Sequence, residues 1–171
     1  NNGQVFEAFN LASLWKLPIL YIIENNMYGM GTSVDKAAAG SDLYKRGKPF
    51  GIPGELVDGM NVFKVIDAAY RAGKYVRDGK GPFILEVQTY RYKGHSMSDP
   101  GQYRSKKELD SYKSQDPIEV ISDKIIKKKL ATKKDLEKIN KKIITEIKEA
   151  ADFALNAEFP NHEELYTDVY I

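Results

Sequence analysis

Two short runs of β-branched and aromatic residues, each preceded by an amphipathic helical pattern, constrain the fold of this chain more than any other feature. The runs cover Ile19 to Ile23 and Phe83 to Tyr90, and their nearly continuous apolar character predicts strands that are buried on both faces. Helix, strand, loop, helix and strand is the order found in α/β domains with a parallel sheet. We therefore expect an α/β fold with a partial doubly wound parallel sheet, in which these two strands are near neighbours.

Two helices are predicted before these strands, each from apolar residues at three- and four-residue spacing. The first helix precedes Pro18, and its expected apolar face comprises Val5, Phe9, Ala12 and Trp15. The second runs from Val62 to Arg77 and is closed by Asp78 and Gly79. Its expected apolar face comprises Val62, Val65, Ile66, Ala69, Tyr70, Gly73 and Val76.

Two further helices are predicted in the last third of the chain from their starting residues. Asp116 followed by Pro117 indicates a capped helix start. Thr132 and Asp135 have the spacing of a capping box. The apolar stripe of that last helix comprises Leu136, Ile139, Ile143, Ile147 and Ala150.

The composition limits the classes of function. The chain has 26 Lys and Arg against 24 Asp and Glu, and the net charge of +2 is too small to indicate a nucleic-acid or membrane partner by itself. The absence of cysteine excludes a disulfide scaffold, a thiolate zinc site and a cysteine nucleophile. The longest apolar run, residues 18–23, is far shorter than the ~20 residues of a membrane span. Because residues 104–152 are lysine-rich, we expect residues 1–103 to belong to the sheet domain and residues 104–171 to be a helical extension packed on it.

Polar, glycine-containing loops follow both predicted strands, at Glu24 to Ser33 and at Arg91 to Ser96. Ligands of open parallel sheets bind at the carboxyl ends of the strands, so these loops are the candidate site. Asn25 and Asn26 alone allow two interpretations. They could form a turn in which the side chains cap backbone groups, which is the more common role of such a pair. They could also supply an oxygen ligand to Mg²⁺, which takes few protein ligands and completes its octahedron with phosphate and water.

Four segments of the sequence carry a family resemblance. They are Glu24 to Ser33, Tyr44 to Gly47, Val57 to Met60 and Thr89 to Pro100. Together they closely resemble the alpha subunits of the thiamine-diphosphate-dependent pyruvate dehydrogenase component, within the 2-oxo acid dehydrogenase family, from Asn1 to about Tyr170. The cofactor motif of that superfamily begins Gly-Asp-Gly and ends Asn-Asn. Asn25 and Asn26 match its end, while Asn1 to Gln4 match the residues after Gly-Asp-Gly, so we expect the C-terminal part of such a subunit.

The resemblance implies roles for three residues. Asn26 would give its side-chain oxygen to Mg²⁺ and Tyr28 its backbone carbonyl, whereas His95 would hydrogen-bond the diphosphate and act as the catalytic residue of this part. His162 lies in an acidic tail without such partners and is expected to be a surface residue. Neutral oxygens alone hold Mg²⁺ weakly, so we expect the 171-residue chain by itself to bind Mg²⁺ and thiamine diphosphate poorly and to be inactive.

The reaction implied by the resemblance is oxidative decarboxylation of pyruvate with acetyl transfer to a lipoyl group of a multienzyme complex. The implied partners are a beta subunit, in an alpha2-beta2 heterotetramer, and a lipoyl-bearing acyltransferase. Two alternatives stay open at this point. The chain could belong to an acetoin or branched-chain 2-oxo acid dehydrogenase, or it could be a non-catalytic α/β module that binds a protein partner through Trp15, Phe6 and Phe9.

One departure from the family pattern bears on the source of the chain. Gln102 stands where mitochondrial members carry a longer stretch that contains serine. Together with the lysine-rich tail, this favours a bacterial, cytoplasmic protein, or one of the mitochondrial matrix if the source is eukaryotic. Ser33 and Ser96 match positions that mitochondrial members phosphorylate, but we interpret both here as ordinary polar loop residues.

Overall fold

A three-stranded parallel sheet organises the first part of the chain in the computed structural model, which describes residues 2–169. The strands of the described residues are β1 (Leu20–Asn25), β2 (Tyr28–Gly29), β3 (Thr32–Ser33), β4 (Gly54–Asp58) and β5 (Phe83–Gln88). β5 lies in the centre and pairs in parallel with β1 on one side and with β4 on the other. The prediction of an α/β fold with two neighbouring parallel strands is confirmed.

The helices agree closely with the predicted starts. They are α1 (Gly3–Leu14), α2 (Val34–Ala37), α3 (Val62–Arg77), α4 (Lys106–Lys113), α5 (Pro117–Lys127) and α6 (Lys133–Asn156), with 3₁₀ turns at Leu43–Phe50 and His162–Tyr166. Asp116 caps α5 by accepting from the Ile118 amide at 2.9 Å. Thr132 and Asp135 form the predicted capping box of α6. A short polar side chain placed one turn before an apolar run is therefore sufficient to locate these helix starts.

α1 and α3 cover opposite faces of the sheet. Consecutive residues of a strand point to opposite faces, so Ile84 of β5 packs with Phe9 of α1, and Leu85 packs with Ala68 of α3. The predicted helix faces are only partly correct. Trp15, the C-cap residue of α1, is 62% exposed, and Val5 within the helix is 45% exposed. The side chains of α3 that reach the sheet are small ones, so the bulkier residues predicted for that face, Ile66 and Tyr70, are exposed.

The prediction that both strands are buried on both faces is wrong for β1. Ile22 is 58% exposed and Glu24 is exposed, whereas β5 is buried along most of its length. The reason is position within the sheet, because among residues 2–169 β1 pairs only with β5, and α3 packs mainly over β4 and β5. β4 was not predicted at all, since its five residues include Glu55 and Asp58 and lack a continuous apolar run.

The chain divides into two compact units, residues 1–121 and residues 122–171, with α5 crossing the division. The predicted domain boundary after Tyr103 stays a prediction. Its outer limits, Asn1 and Ile171, lie outside the described residues, as does Tyr170 at the end of the resemblance. In the second unit the apolar stripe of α6 is exposed, with Ile147 at 66%. No helix within residues 2–169 is long and apolar enough to cross a bilayer.

Candidate functional site

The loops that follow the three parallel strands start side by side at one edge of the sheet. The Thr89 amide donates to the Asn25 carbonyl at 2.8 Å, and the Gly59 amide donates to the Gln88 carbonyl at 2.7 Å. These bonds extend the ladder by one step at each strand end. A Cβ at Gly59 would lie 2.6 Å from the Thr89 side chain and 2.7 Å from the Gln88 carbonyl oxygen, so only glycine permits this approach.

Asn25, the last residue of β1, and Asn26, which follows it, both act as turn acceptors. Asn25 Oδ1 accepts from the Met27 amide at 3.0 Å, and Asn26 Oδ1 accepts from the Tyr28 amide at 3.2 Å. Met27 itself has a φ of 71°, the left-handed conformation that such a tight turn requires. The turn interpretation is therefore correct, and it leaves the second lone pair of the Asn26 oxygen for a ligand.

Asn26 borders an open groove of about 410 Å³. The groove is walled mainly by apolar side chains of β1, α3 and β5: Ile22, Val65, Ala69, Leu85 and Val87. Its size falls within the range of small-molecule sites. The Asn26 amide thus lies between this apolar groove and the polar loops at the strand ends.

The Tyr28 side chain is hydrogen-bonded to α4. Its hydroxyl donates to Glu108 Oε1 at 2.9 Å, and the Tyr90 hydroxyl donates to the same oxygen at 3.0 Å. Burial, followed by this hydrogen bond, raises the pKa of Tyr28 to about 12. The phenol therefore stays a neutral donor at physiological pH and holds the residue whose backbone carbonyl is the predicted metal ligand.

Arg91 joins the loop after β5 to the loop after β1. Its Nη2 donates to the Met30 carbonyl and, at 2.9 Å, to the Tyr103 hydroxyl, while Nη1 lies 3.2 Å from His95 Nδ1. A guanidinium can only donate, so Nδ1 is the acceptor in this contact, and the tautomer that fits it carries its N–H at Nε2. His95 is exposed. It consequently offers an N–H donor beside a positive charge, which suits an anionic ligand.

Asp99 organises the loop that carries His95. Its carboxylate accepts from the His95 amide at 2.6 Å, the Gly101 amide at 2.8 Å and the Tyr103 hydroxyl at 2.9 Å. These hydrogen bonds, the one from the His95 amide first, lower the pKa of Asp99 to about 2. The ionised form of this side chain is thus built into the loop conformation.

The lowered pKa of Asp99 predicts how the loop responds to acid. The carboxyl titrates near pH 2 instead of at its ordinary pKa of 3.8. Its contribution to the stability of the folded loop is therefore present above the ordinary pKa and is lost as the pH falls through 2. Carbon-13 NMR should show the Asp99 carboxyl titrating near pH 2, with the Gly101 amide shift following it. Asp99→Asn should release the loop even at neutral pH, whereas Asp110→Asn on exposed α4 should not. A midpoint at 3.8 or above would contradict the three-donor arrangement.

Comparison with known proteins decides the family. Residues 1–163 match the family described as Dehydrogenase E1 component. The chain belongs to this family. It is 50% identical over 171 residues to the pyruvate dehydrogenase E1 component subunit alpha of Rickettsia bellii, covering 100% of this chain and 52% of that protein. The subunit alpha of Rhizobium meliloti is 51% identical over 172 residues, covering 100% and 49%.

The likeness extends to a mitochondrial relative. The human testis-specific mitochondrial form of the subunit is 51% identical over 172 residues, covering 99% of this chain and 44% of that protein. The chain spans about half the length of the curated relatives it matches. The resemblance to the E1 alpha subunits is confirmed. The alternative of a protein-binding module through Trp15, Phe6 and Phe9 is weakened further, because Phe9 is only 3% exposed.

The structure places the three predicted site residues of this E1 chain on two adjoining loops. Asn26 and Tyr28 lie two residues apart after β1, and His95 is linked to the same loop through Arg91 and the Met30 carbonyl. His162 belongs to an exposed 3₁₀ turn of the second unit. Within residues 2–169 no group of three or more His, Cys, Asp or Glu side chains could hold a metal ion.

Sequence reasoning missed the residues that hold these loops together. They are Arg91, Asp99, Tyr103, Arg104 and Glu108, together with Glu86 in β5. Arg104, for example, donates to the Tyr92 carbonyl at 2.8 Å and thereby anchors the start of the loop after β5. Only one signal in the sequence could have pointed to these residues. Arg91 is a charged residue that comes three positions after the end of the buried strand β5.

Proposed function

We propose that this chain supplies the diphosphate-anchoring part of the alpha subunit of a thiamine-diphosphate-dependent pyruvate dehydrogenase. The proposed reaction is oxidative decarboxylation of pyruvate with transfer of the acetyl group to a lipoyl group. The observation that carries the proposal is the Arg91 bridge, which joins the loop of Asn26 and Tyr28 to the loop of His95. When bound, thiamine diphosphate supplies the carbanion-stabilising chemistry, and the protein orients and anchors it.

The residues present fit a magnesium diphosphate group. Asn26 Oδ1 and the Tyr28 carbonyl are neutral oxygens in one tight turn, the type of ligand that Mg²⁺ combines with phosphate oxygens and water. The His95 Nε2–H, next to the Arg91 guanidinium, is a donor for a diphosphate oxygen. Asn26 and Tyr28 would therefore hold the metal, and His95 would donate a hydrogen bond to the diphosphate.

The proposed partners are those of an alpha subunit. Its relatives are named pyruvate dehydrogenase E1 component subunit alpha, which supports a beta subunit and membership of a complex with further components. The alpha2-beta2 heterotetramer and delivery of the acetyl group to a lipoyl-bearing acyltransferase are proposed from the family resemblance. Bacterial relatives among them support a cytoplasmic site of action, and the human relative supports the mitochondrial matrix for a eukaryotic source.

The substrate proposal is tested with the full-length subunit assembled with its beta subunit. We expect kcat/KM for pyruvate to exceed that for branched-chain 2-oxo acids and acetoin by at least about tenfold, the discrimination that one or two methylene groups commonly allow. The measurement is reduction of an artificial electron acceptor in the presence of Mg²⁺ and thiamine diphosphate. Equal or higher kcat/KM for either competitor would assign the chain to that dehydrogenase, and no turnover with any substrate would contradict the enzymatic proposal.

A further inference from the structure

Glu86 is a buried carboxylate at the centre of the sheet, to which the family resemblance gives no role. It lies in the middle of β5 and is 1% exposed. Its Oε1 accepts from Asn25 Nδ2 at 2.7 Å, and its Oε2 accepts from the Tyr44 amide at 2.8 Å. A carboxylate in a core is costly unless its oxygens are hydrogen-bonded. Both oxygens of Glu86 are satisfied, and both donors belong to segments outside β5.

The hydrogen bond from Asn25 fixes the orientation of an amide that has two different ends. Because Nδ2 points to Glu86, Oδ1 points to the Met27 amide and closes the first turn of the loop. Rotation of this amide by 180° would place Nδ2 against the Met27 N–H, and two donors would then face each other. Glu86 therefore determines which end of Asn25 meets the loop.

The second oxygen of Glu86 binds a different segment of the chain, the 3₁₀ turn that contains Tyr44. Tyr44 lies in the 3₁₀ turn Leu43–Phe50, and its amide is held by the same carboxylate that holds Asn25. One side chain of the central strand thus joins the end of β1 to this turn. The backbone of Glu86 is itself fixed in the sheet, because β5 pairs with β1 on one side and with β4 on the other.

We propose that Glu86 is a positioning residue for the metal-binding loop, acting through Asn25 to set the Asn26 oxygen and the Tyr28 carbonyl in the geometry that Mg²⁺ requires. This inference rests on the proposed function, since it assumes that these two oxygens bind the metal. Mg²⁺ tolerates little departure from octahedral geometry. Partners that orient a metal ligand commonly change metal affinity by about 10–100-fold when they are removed.

The test uses the full-length subunit assembled with its beta subunit and measures Mg²⁺ binding by calorimetry at saturating thiamine diphosphate. Glu86→Gln replaces one acceptor oxygen by an NH₂ group that faces a donor. We expect the Mg²⁺ dissociation constant to rise about 10–100-fold. Ile84→Val, a small core change two residues away on the same strand, is the matched control and should leave the dissociation constant unchanged.

A paired substitution separates orientation from simple loss of core stability. Combining Glu86→Gln with Asn25→Asp exchanges donor and acceptor, so the introduced amide donates to the introduced carboxylate. The other carboxylate oxygen accepts from the Met27 amide, and the amide oxygen accepts from Tyr44. The total charge is conserved and every hydrogen bond is restored. We expect Mg²⁺ affinity to return to within about threefold of the wild type, a strong non-additivity between the two positions.

The outcomes distinguish this inference from the proposed function. If Asn26→Ala leaves Mg²⁺ affinity unchanged, the proposed metal site is wrong and the role of Glu86 there is overturned with it. If Asn26→Ala weakens binding and Glu86→Gln does not, the proposed site stands and the inference about Glu86 is overturned. Failure of the paired variant to assemble or to recover affinity also overturns it, as does an equal loss in Ile84→Val. A loss in Glu86→Gln that the paired variant recovers supports it.

Discussion

Replacing Asn26 by alanine is expected to abolish useful Mg²⁺-dependent binding of thiamine diphosphate to the assembled enzyme. The change removes a side-chain oxygen from a cation that takes few protein ligands, and it also removes the acceptor of the Tyr28 amide at 3.2 Å. Both proposed metal ligands are therefore disturbed by one substitution. We expect the Mg²⁺ dissociation constant to rise by more than about a hundredfold, beyond the usual effect of residues that only orient a ligand.

Asn161→Ala is the matched control for this substitution. Asn161 also accepts hydrogen bonds from nearby backbone amides, those of Glu163 and Glu164, but it lies in the second compact unit. Its replacement should cost some local stability and leave cofactor binding at the wild-type level. Calorimetric titration of both variants provides the comparison. Binding by Asn26→Ala within about tenfold of the wild type, which is the low end of an orienting effect, would place the metal elsewhere.

The second large effect is expected from Gly94→Ala. A Cβ at this position would lie 2.2 Å from the Asp99 carbonyl oxygen and 2.9 Å from Asp99 Cβ. Backbone cannot move aside as a flexible side chain can, so the loop must open and the His95 amide must leave the Asp99 carboxylate. His95 then loses its place beside Arg91. We expect thiamine diphosphate affinity to fall at least about tenfold while the sheet stays folded, as after loss of an orienting contact.

Gly29→Ala is the control on the neighbouring loop, because no atom lies within 4 Å of the added Cβ. Hydrogen exchange of Gly94 to Ser98 gives the second readout. Loop residues with little burial gain little to offset an ordering cost of about 1–2 kcal/mol each, so we expect exchange in the wild type to slow when cofactor binds. In Gly94→Ala it should stay fast. Equal protection of this loop in the wild type and in Gly94→Ala, with cofactor bound, would show that the loop accommodates the methyl group. Its packing would then not position His95.

The periodicity of the sequence is enough to predict most of the helices and two of the strands. α3 was predicted with its exact bounds because amphipathic spacing continues until Asp78 and Gly79. β4 was not predicted, since five residues with two charges carry no periodic signal and depend on pairing with β5. The exposure of Ile22 likewise reflects the edge position of β1, which the apolar run itself cannot reveal.

The candidate site shows the same division between local and long-range information. Asn26, Tyr28 and His95 were predicted because they lie in local motifs that resemble a family. Arg91 contacts Met30, and Glu86 contacts Asn25, each across 61 residues of sequence. These contacts exist only because β1 and β5 pair in one particular register. No local pattern encodes that register, so the residues that hold the site together become visible only in the structure.

A crystal structure of the assembled enzyme with Mg²⁺ and thiamine diphosphate tests the central claim most directly, which is that the turn after β1 and the loop after β5 hold one magnesium diphosphate. We expect Mg²⁺ within about 2.1 Å of both Asn26 Oδ1 and the Tyr28 carbonyl oxygen. We also expect a diphosphate oxygen at about 2.7–3.2 Å from His95 Nε2. A metal held without Asn26, or a diphosphate beyond hydrogen-bond reach of His95, would contradict it.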